Sequence, residues 1–579
     1  MMHRPWGDVA TRGLLFILMA TALCRERLNA QDSVRTLNLG FRDDSVEAGG
    51  VPDSILRDAV ERFNAPGTSR THGTQVIAAG SMVQGDLGVH RGTLRVEGTI
   101  RGNVIVINGD ILLRPTGRVS GSITVLGGRI IVQPGAVHGG TRYETLTTAW
   151  VSVTPERTLR LSRRPRGLID YTTAQASITA GPVRATLGVE AAPYNRVEGL
   201  PVMVSPSLLW RPDDITSLQL RLTGIARTAG DPSDLRSDFG WRGELELARL
   251  EPAAIRVTVD ASSLITPMVD QAYSPLESGI AAFVARRDYR DWYNSRSAGI
   301  VARWRPRAAL ELDAGYRWSR ERTVRSVDAF SLLRADDSWR PNPIIDDGHY
   351  RAIGIGLAWD TRDDASRATT GWMVRAAIRR TMSDDLTPVS LPGLIRDNMP
   401  TTGYGSTDIE FDFRSYLRLN PSQGVHLRLA GGGWLGGDPL TVQRRRSMGG
   451  ADPLAGYEFR EVTCDRRRRP DNAEPALCDR RLLAQVEFRR SVDLGINARV
   501  AGISLGLEEA DIVVLADAGT AWVAGDGPGR VPSGRIQDLS EWLADVGIGL
   551  DGGLFGVYVA KPLTGDGSPR FSVRLRRRF

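Results

Sequence analysis

At 579 residues the chain is long enough for several soluble domains or for one large barrel with an attachment. A hydrophobic content of 41% and a mean hydropathy of −0.21 exclude a bundle of membrane helices, but not a membrane β-barrel, whose strands show only alternate side chains to lipid. The net charge of +7 is carried almost wholly by arginine, with Lys561 the single lysine. Acids are interspersed throughout, so a pI near 9.6 does not argue for nucleic acid.

The first thirty residues have the order of a secretory signal. Arg4 and Arg12 precede an apolar run from Leu14 to Cys24, too short to span a bilayer, and cleavage is expected after Ala30. Leu23 is too bulky for the small residue that lipoprotein processing at Cys24 would want. Beyond Ala30 only Cys464 and Cys478 remain, which suits an exported chain, and the two are expected to be disulfide-bonded. Residues 31–73 are weakly patterned and read as a tether. Within it, Val51-Pro52-Asp53-Ser54 caps a short helix from Ile55 to Phe63, stopped by Asn64-Ala65-Pro66-Gly67.

From 74 to 142 the chain repeats. Gln84-Gly85-Asp86, Arg101-Gly102-Asn103, Ser120-Gly121-Ser122 and His138-Gly139-Gly140 recur every seventeen to nineteen residues, with short β-branched runs such as Val104-Ile105-Val106-Ile107 between them. Fixed-period glycine punctuation of three- to four-residue strands is the signature of a stacked β-solenoid, in which a coil buries its apolar row only against its neighbours. The pattern resembles the bactofilin-type polymer-forming β-helix, which implies self-association as one role. His90 and His138 fall at turn positions and are expected to be solvated rather than to hold a metal.

From 143 to 579 alternation at period two dominates. Leu310, Leu312, Ala314, Tyr316 and Trp318 share one face, and Glu311, Asp313 and Arg317 the other. Ile409, Phe411 and Phe413 alternate with Asp408, Glu410 and Asp412. Runs of ten to twelve residues exceed the usual soluble strand of about five or six and match a tilted membrane crossing. The polar face then suits a wet lumen. At ~27 residues per strand and loop the segment holds roughly 16 strands, an even number as in closed bacterial barrels. The fold class is therefore all-β: a transmembrane antiparallel barrel behind a small solenoid.

One stretch inside the barrel breaks the alternation. Ser447 to Arg460 reads SMGGADPLAGYEFR, too rich in breakers for a helix and flanked by alternating strands. The loop, with Gly449, Gly450, Leu454, Gly456 and Tyr457, resembles the lumen loop of the BamA/TamA-type outer-membrane assembly factors and surface antigens. Further segments resemble that family in the same order. Trp359 to Asp363 with Thr370-Gly371-Trp372 looks like its mid-barrel turn, and Asp517-x-Gly519 with Trp522 looks like a strand end. Phe571, Val573, Leu575 and Phe579 look like the terminal strand read by outer-membrane insertion machinery. The family's tip arginine is Ala455 here, so Arg460 is expected to pair with an inward Asp517 instead. No βααββ POTRA pattern precedes the barrel; the solenoid stands in its place.

The resemblance implies insertion or translocation of protein or lipid at the outer membrane, with unfolded clients, membrane lipid and insertion machinery as partners and the N-terminal domain in the periplasm. A passive pore or envelope anchor is the alternative. No catalytic constellation stands out: there is no Gly-x-Ser-x-Gly elbow, Walker loop or His-Glu-x-x-His pair. Neither enzyme activity nor a cofactor is expected, and the six histidines are too scattered for a metal site. Arg444-Arg445-Arg446 and Arg466 to Arg469 flank the loop. They are read as a solvated or lumen-facing cluster in preference to a lipopolysaccharide contact.

Overall fold

The structure, a computed structural model, describes residues 53–579 apart from 146–148, 150, 155, 162–172, 214, 230–238, 250–253, 270–272, 308, 335–336, 364–367, 465–474, 501–502, 553–554 and 576. The expected signal sequence and Arg466 to Arg469 lie outside the described residues.

Glycine spacing becomes a parallel solenoid. Leu87 pairs with Val104, Val104 with Ile123 and Ile123 with Arg142, one coil apart each time. Leu94, Val96, Val104, Val106, Ile111 and Val125 are wholly buried between its faces. Glycine is required where coils stack closely: a Cβ on Gly109 would sit 2.1 Å from the Gly92 carbonyl oxygen. The polar residue after each turn glycine ties one coil to the next. Asp86 accepts from the Asn103 N–H at 2.7 Å, and Asn103 accepts from the Ser122 N–H at 2.9 Å.

Three features of this region differ from the sequence reading. Helix Asp53–Asn64 is no part of a tether: Leu56, Ala59, Val60 and Phe63 pack on Ile105, Ile107 and Leu126 of the solenoid. The hairpin Val151–Val153 with Leu159–Leu161 joins the same cluster, and the barrel sheet begins at Thr173 rather than at 143. His90 is not solvated. It lies in strand Leu87–Val96 at 1% exposure, its Nδ1 3.1 Å from His72 Nδ1, because it stands in register with Ile107 on the solenoid face that the helix covers rather than in a turn. His138 ends strand Val137–His138, half-buried.

The remaining strands form one antiparallel sheet of 17, each paired with its sequence neighbours. Apolar side chains face out around it: Leu222, Trp241, Val259, Trp304, Ile355, Leu417, Leu429, Val514, Ile548 and Phe571 are all exposed. Charged ones face in, with Asp260, Asp408, Asp412, Glu487, Arg489 and Asp517 buried. An apolar belt outside and a charged interior is the inversion that a membrane barrel requires. No described helix is long and apolar enough to cross a membrane.

Short turns lie at one rim (181–182, 421–422) and long connections at the other, outer rim (384–403, 438–479). The solenoid meets the short-turn rim. Arg418, beside the 421–422 turn, bonds Asp110, and Arg129 reaches Thr370. The hairpin of Arg480–Val500 and Ile503–Trp522 projects past the same rim: pairing with Gln423–Gly437 stops at Arg490, whereas the hairpin continues to Val500.

The count of 17 departs from the even number expected of a closed ring. Among the described residues no hydrogen bond joins the sheet's end strands, Thr173–Ala180 and Arg570–Arg574.

Candidate functional site

The connection 438–479 does not stand out from the outer rim but turns back into the barrel. Its entry is held by arginines. Arg444 bonds Glu321 at 2.9 and 3.2 Å, Arg445 reaches Asp479 and the Leu477 carbonyl, and Arg446 pairs with Glu410 and lies 3.9 Å from Asp408. All three are buried, so they are lumen-facing and not placed to meet lipopolysaccharide. An arginine fork suits such sites because it satisfies two carboxylate oxygens at once in a place where unpaired charge is costly.

Below the entry the loop is a narrow hairpin, Met448 and Val462 exchanging both backbone hydrogen bonds at 2.9 Å. Gly449 has φ +114°, and a Cβ there would lie 2.5 Å from the Glu458 carbonyl oxygen. Leu454 is fully buried with Met448, Tyr457 and Leu483, and its N–H closes on the Gly450 carbonyl at 3.0 Å. Cys464 and Cys478 are placed as a disulfide pair across the hairpin base, Cα atoms 5.1 Å apart.

The tip meets the barrel wall at Ala455, Gly456 and Tyr457. The Gly456 N–H donates to Asp545 Oδ2 at 2.9 Å, an approach that leaves only 2.8 Å between a Cβ on Gly456 and that of Asp545. The Tyr457 hydroxyl lies 2.9 Å from the carbonyl oxygens of Ala544 and Thr564. Asp545 stands opposite Asp517 in the register, so both carboxylates sit beside the tip. Gly519, two residues on, makes room for Met448.

The expected Arg460–Asp517 pair does not form. Arg460 turns away to Asp291 at 2.7 Å, where Arg196 and Arg340 also converge at 2.7 and 2.6 Å, and its guanidinium lies 4.9 Å from the Phe459 ring. Asp517 is bonded instead by Arg578, which also reaches the Asp452 carbonyl at 3.3 Å and Glu487 at 3.4 Å. The physical reason is reach: five residues past the tip the hairpin has already climbed to the outer loops, whereas the segment after strand Arg570–Arg574 bends into the lumen at the height of Asp517.

That segment departs from a plain terminal strand. Phe571 and Val573 face outward, Arg574 is fully buried, and Phe579 is buried with its ring 6.5 Å from His426. Arg574 binds Glu277 at 2.7 Å, Asp452 at 3.0 Å and the Ala451 carbonyl at 3.0 Å, and the Leu575 N–H also donates to Glu277. Glu277 is the third residue of helix Pro275–Ala285, whose Ser274 and Glu277 form a reciprocal cap. One carboxylate thus joins an outer-loop helix, the lumen loop and the sheet's last strand.

Sequence reasoning missed Arg574, Arg578, Glu277, Asp291 and Asp545. Only the arginine run after Leu575 signalled them, since three cations ending an apolar strand are out of place in lipid. Among the described residues no cluster of side chains could hold a metal ion. Beside the loop a polar cavity remains, lined by Arg242, Asp260, Arg317, Glu321, Arg379 and Arg444.

No family model matches the chain, and no curated protein does. Among solved structures it is similar to BamA from Haemophilus ducreyi lacking POTRA domains 1–3, at 14% identity and a TM-score of 0.39 over 73% of this chain and 74% of that one. It is also similar to CdiB from Acinetobacter baumannii, at 12% identity and a TM-score of 0.29 over 70% and 65% of the two chains. For CdiB from Escherichia coli the figures are 10% and 0.29 over 68% and 62%. The chain thus spans less than two thirds of either CdiB.

Proposed function

We propose that this chain is an outer-membrane barrel that works at its wall, inserting or translocating polypeptide or lipid where the ends of its sheet meet, with the solenoid on the periplasmic side. The observation that carries the reading is a contrast within the barrel. The lumen is occupied by a loop held through buried ion pairs, while the end strands Thr173–Ala180 and Arg570–Arg574 share no hydrogen bond among the described residues. Unpaired strand edges in lipid leave backbone groups unsatisfied at several kcal/mol each, so an added strand is strongly favoured there. Unfolded strands and lipid are the substrates such a seam would take, and the solenoid would receive them or associate with its own kind. Cleavage after Ala30 and a Cys464–Cys478 disulfide belong to the same reading. The mass of the native N-terminus and thiol labelling of unreduced, unfolded protein check them.

Depleting the protein is the deciding experiment. The expected result is loss of other barrels or of a lipid class from the outer membrane. An unchanged outer membrane, together with steady conductance from the purified intact chain, would establish the passive pore instead. Unchanged composition with envelope detachment on deleting the solenoid would establish the anchor.

A further inference from the structure

Sixteen of the seventeen strands, from Val183–Ala191 to Arg570–Arg574, alternate outward and inward and would by themselves make an even ring. Val183–Ala191 runs outward from the short turn at 181–182, and Arg570–Arg574 runs inward from the outer connection after Pro562. Closing such a ring needs these two to pair, antiparallel. The edge of Val183–Ala191 is already taken. Thr173–Ala180 runs inward along it, in register from Thr173 opposite Glu190 to Ala180 opposite Val183. It holds the place, and has the direction, of the closing strand.

Its character differs from that of most wall strands, Val202–Trp210 being the one other without a charged residue. It carries no charge: Ala174, Ala176, Ile178 and Ala180 alternate with Gln175, Ser177 and Thr179. Ala176 to Ala180 are exposed at every position, so neither face is packed against the contents of the lumen. Its Thr179 hydroxyl accepts a 3.3 Å hydrogen bond from Arg184, within its own hairpin. At the opposite end of the sheet, Arg570–Arg574 is five residues long, and the chain beyond it turns inward to Glu277 and Asp517.

We infer that Thr173–Ala180 is a resident surrogate for the closing strand, competing with Arg570–Arg574 for the edge of Val183–Ala191, so that the barrel has an open seventeen-strand form and a closed sixteen-strand form. Leaving the edge costs Thr173–Ala180 backbone hydrogen bonds that Arg570–Arg574 replaces, and no ion pair of its own. The inference concerns the wall alone and does not depend on what the protein carries.

The test is cysteine crosslinking in the full chain. Ser177→Cys with Thr186→Cys reports the surrogate pairing, because these residues face each other. Ser572→Cys with Arg184→Cys, Thr186→Cys or Gly188→Cys reports closure. The first pair is expected to crosslink in most molecules and the closure pairs in few. Deleting 173–180, or introducing Ala176→Pro to strip the strand of its pairing while keeping its length, is expected to raise closure crosslinking at least about tenfold, as a minor state becomes the dominant one. Failure of the Ser177–Thr186 pair to crosslink overturns the inference. So does closure crosslinking that is equally efficient with the strand present, deleted or carrying the proline. Loss of other barrels on depletion is a separate readout, so either conclusion can fail without the other.

Discussion

The solenoid and the barrel are built from strands alike, yet they are inside out with respect to each other. The solenoid hides Val, Ile and Leu at 0% exposure in a dry core and ties its coils by parallel pairing. The barrel shows such residues to its surroundings and hides arginines: Arg196, Arg445, Arg446 and Arg574 are among its most buried side chains. A solenoid in water gains stability by removing apolar area from solvent. A barrel in lipid cannot gain that way, so backbone pairing between neighbouring strands and paired charge hold it instead. Local period is the same on both sides of residue 173; what changes is which face meets the solvent.

The sharpest break in that comparison is a charge where the solenoid is dry. Val106→Asp places an unpaired carboxylate in a site of 0% exposure, at a cost of several kcal/mol. The solenoid is expected to become protease-sensitive while the barrel keeps its heat-dependent gel mobility. Leu417→Ala, on the outer belt at 57% exposure, is the matching control and should leave both unchanged.

The reciprocal break removes a charge from the barrel. Arg574→Ala leaves Glu277 and Asp452 buried without this partner, at a cost of about 3–5 kcal/mol. The midpoint of heat-modifiability should fall, and conductance should rise as the lumen loop loses its hold on the last strand. Unchanged conductance would mean that the entry arginines suffice.

A double-mutant cycle separates the two candidate partners of Asp517. Asp517→Asn with Arg578→Gln should couple by about 1.5–3 kcal/mol, as a charge-assisted bond does, whereas Asp517→Asn with Arg460→Gln should be additive. The opposite pattern would restore the pairing expected from sequence.

Acid gives the mildest test. Burial, reinforced by Arg91 and His72, pushes His90 down to about 3. The unfolded chain, with a value near 6.5, takes up its proton first. Solenoid stability is therefore complete above about pH 6.5 and falls from there toward pH 3, by at most about 1.4 kcal/mol per pH unit. Urea midpoints measured at pH 7.5 and 5.5 should differ in the native solenoid and converge in His90→Gln.

By itself the sequence determined which faces are apolar and how often the chain turns. Seventeen- to nineteen-residue glycine spacing is enough for a solenoid, because coils that close cannot admit a Cβ at Gly109. Two-residue alternation over long runs is enough for a wall with a wet side, and SMGGADPLAGYEFR is enough for a non-regular segment between strands. Tertiary structure alone decided what stands opposite each inward residue. Asp517 faces in as its period requires, but its partner comes from Arg578, sixty-one residues on, and Arg460 goes to Asp291. His90 looked like a turn residue and is core, and helix Asp53–Asn64 looked like part of a tether and is a lid on the solenoid. The seventeenth strand was hidden in an ordinary run of Ala, Ser and Thr. A period reports the direction in which a side chain leaves the backbone; it carries no information about the height at which distant segments meet across a lumen, and that height selects the ion pairs.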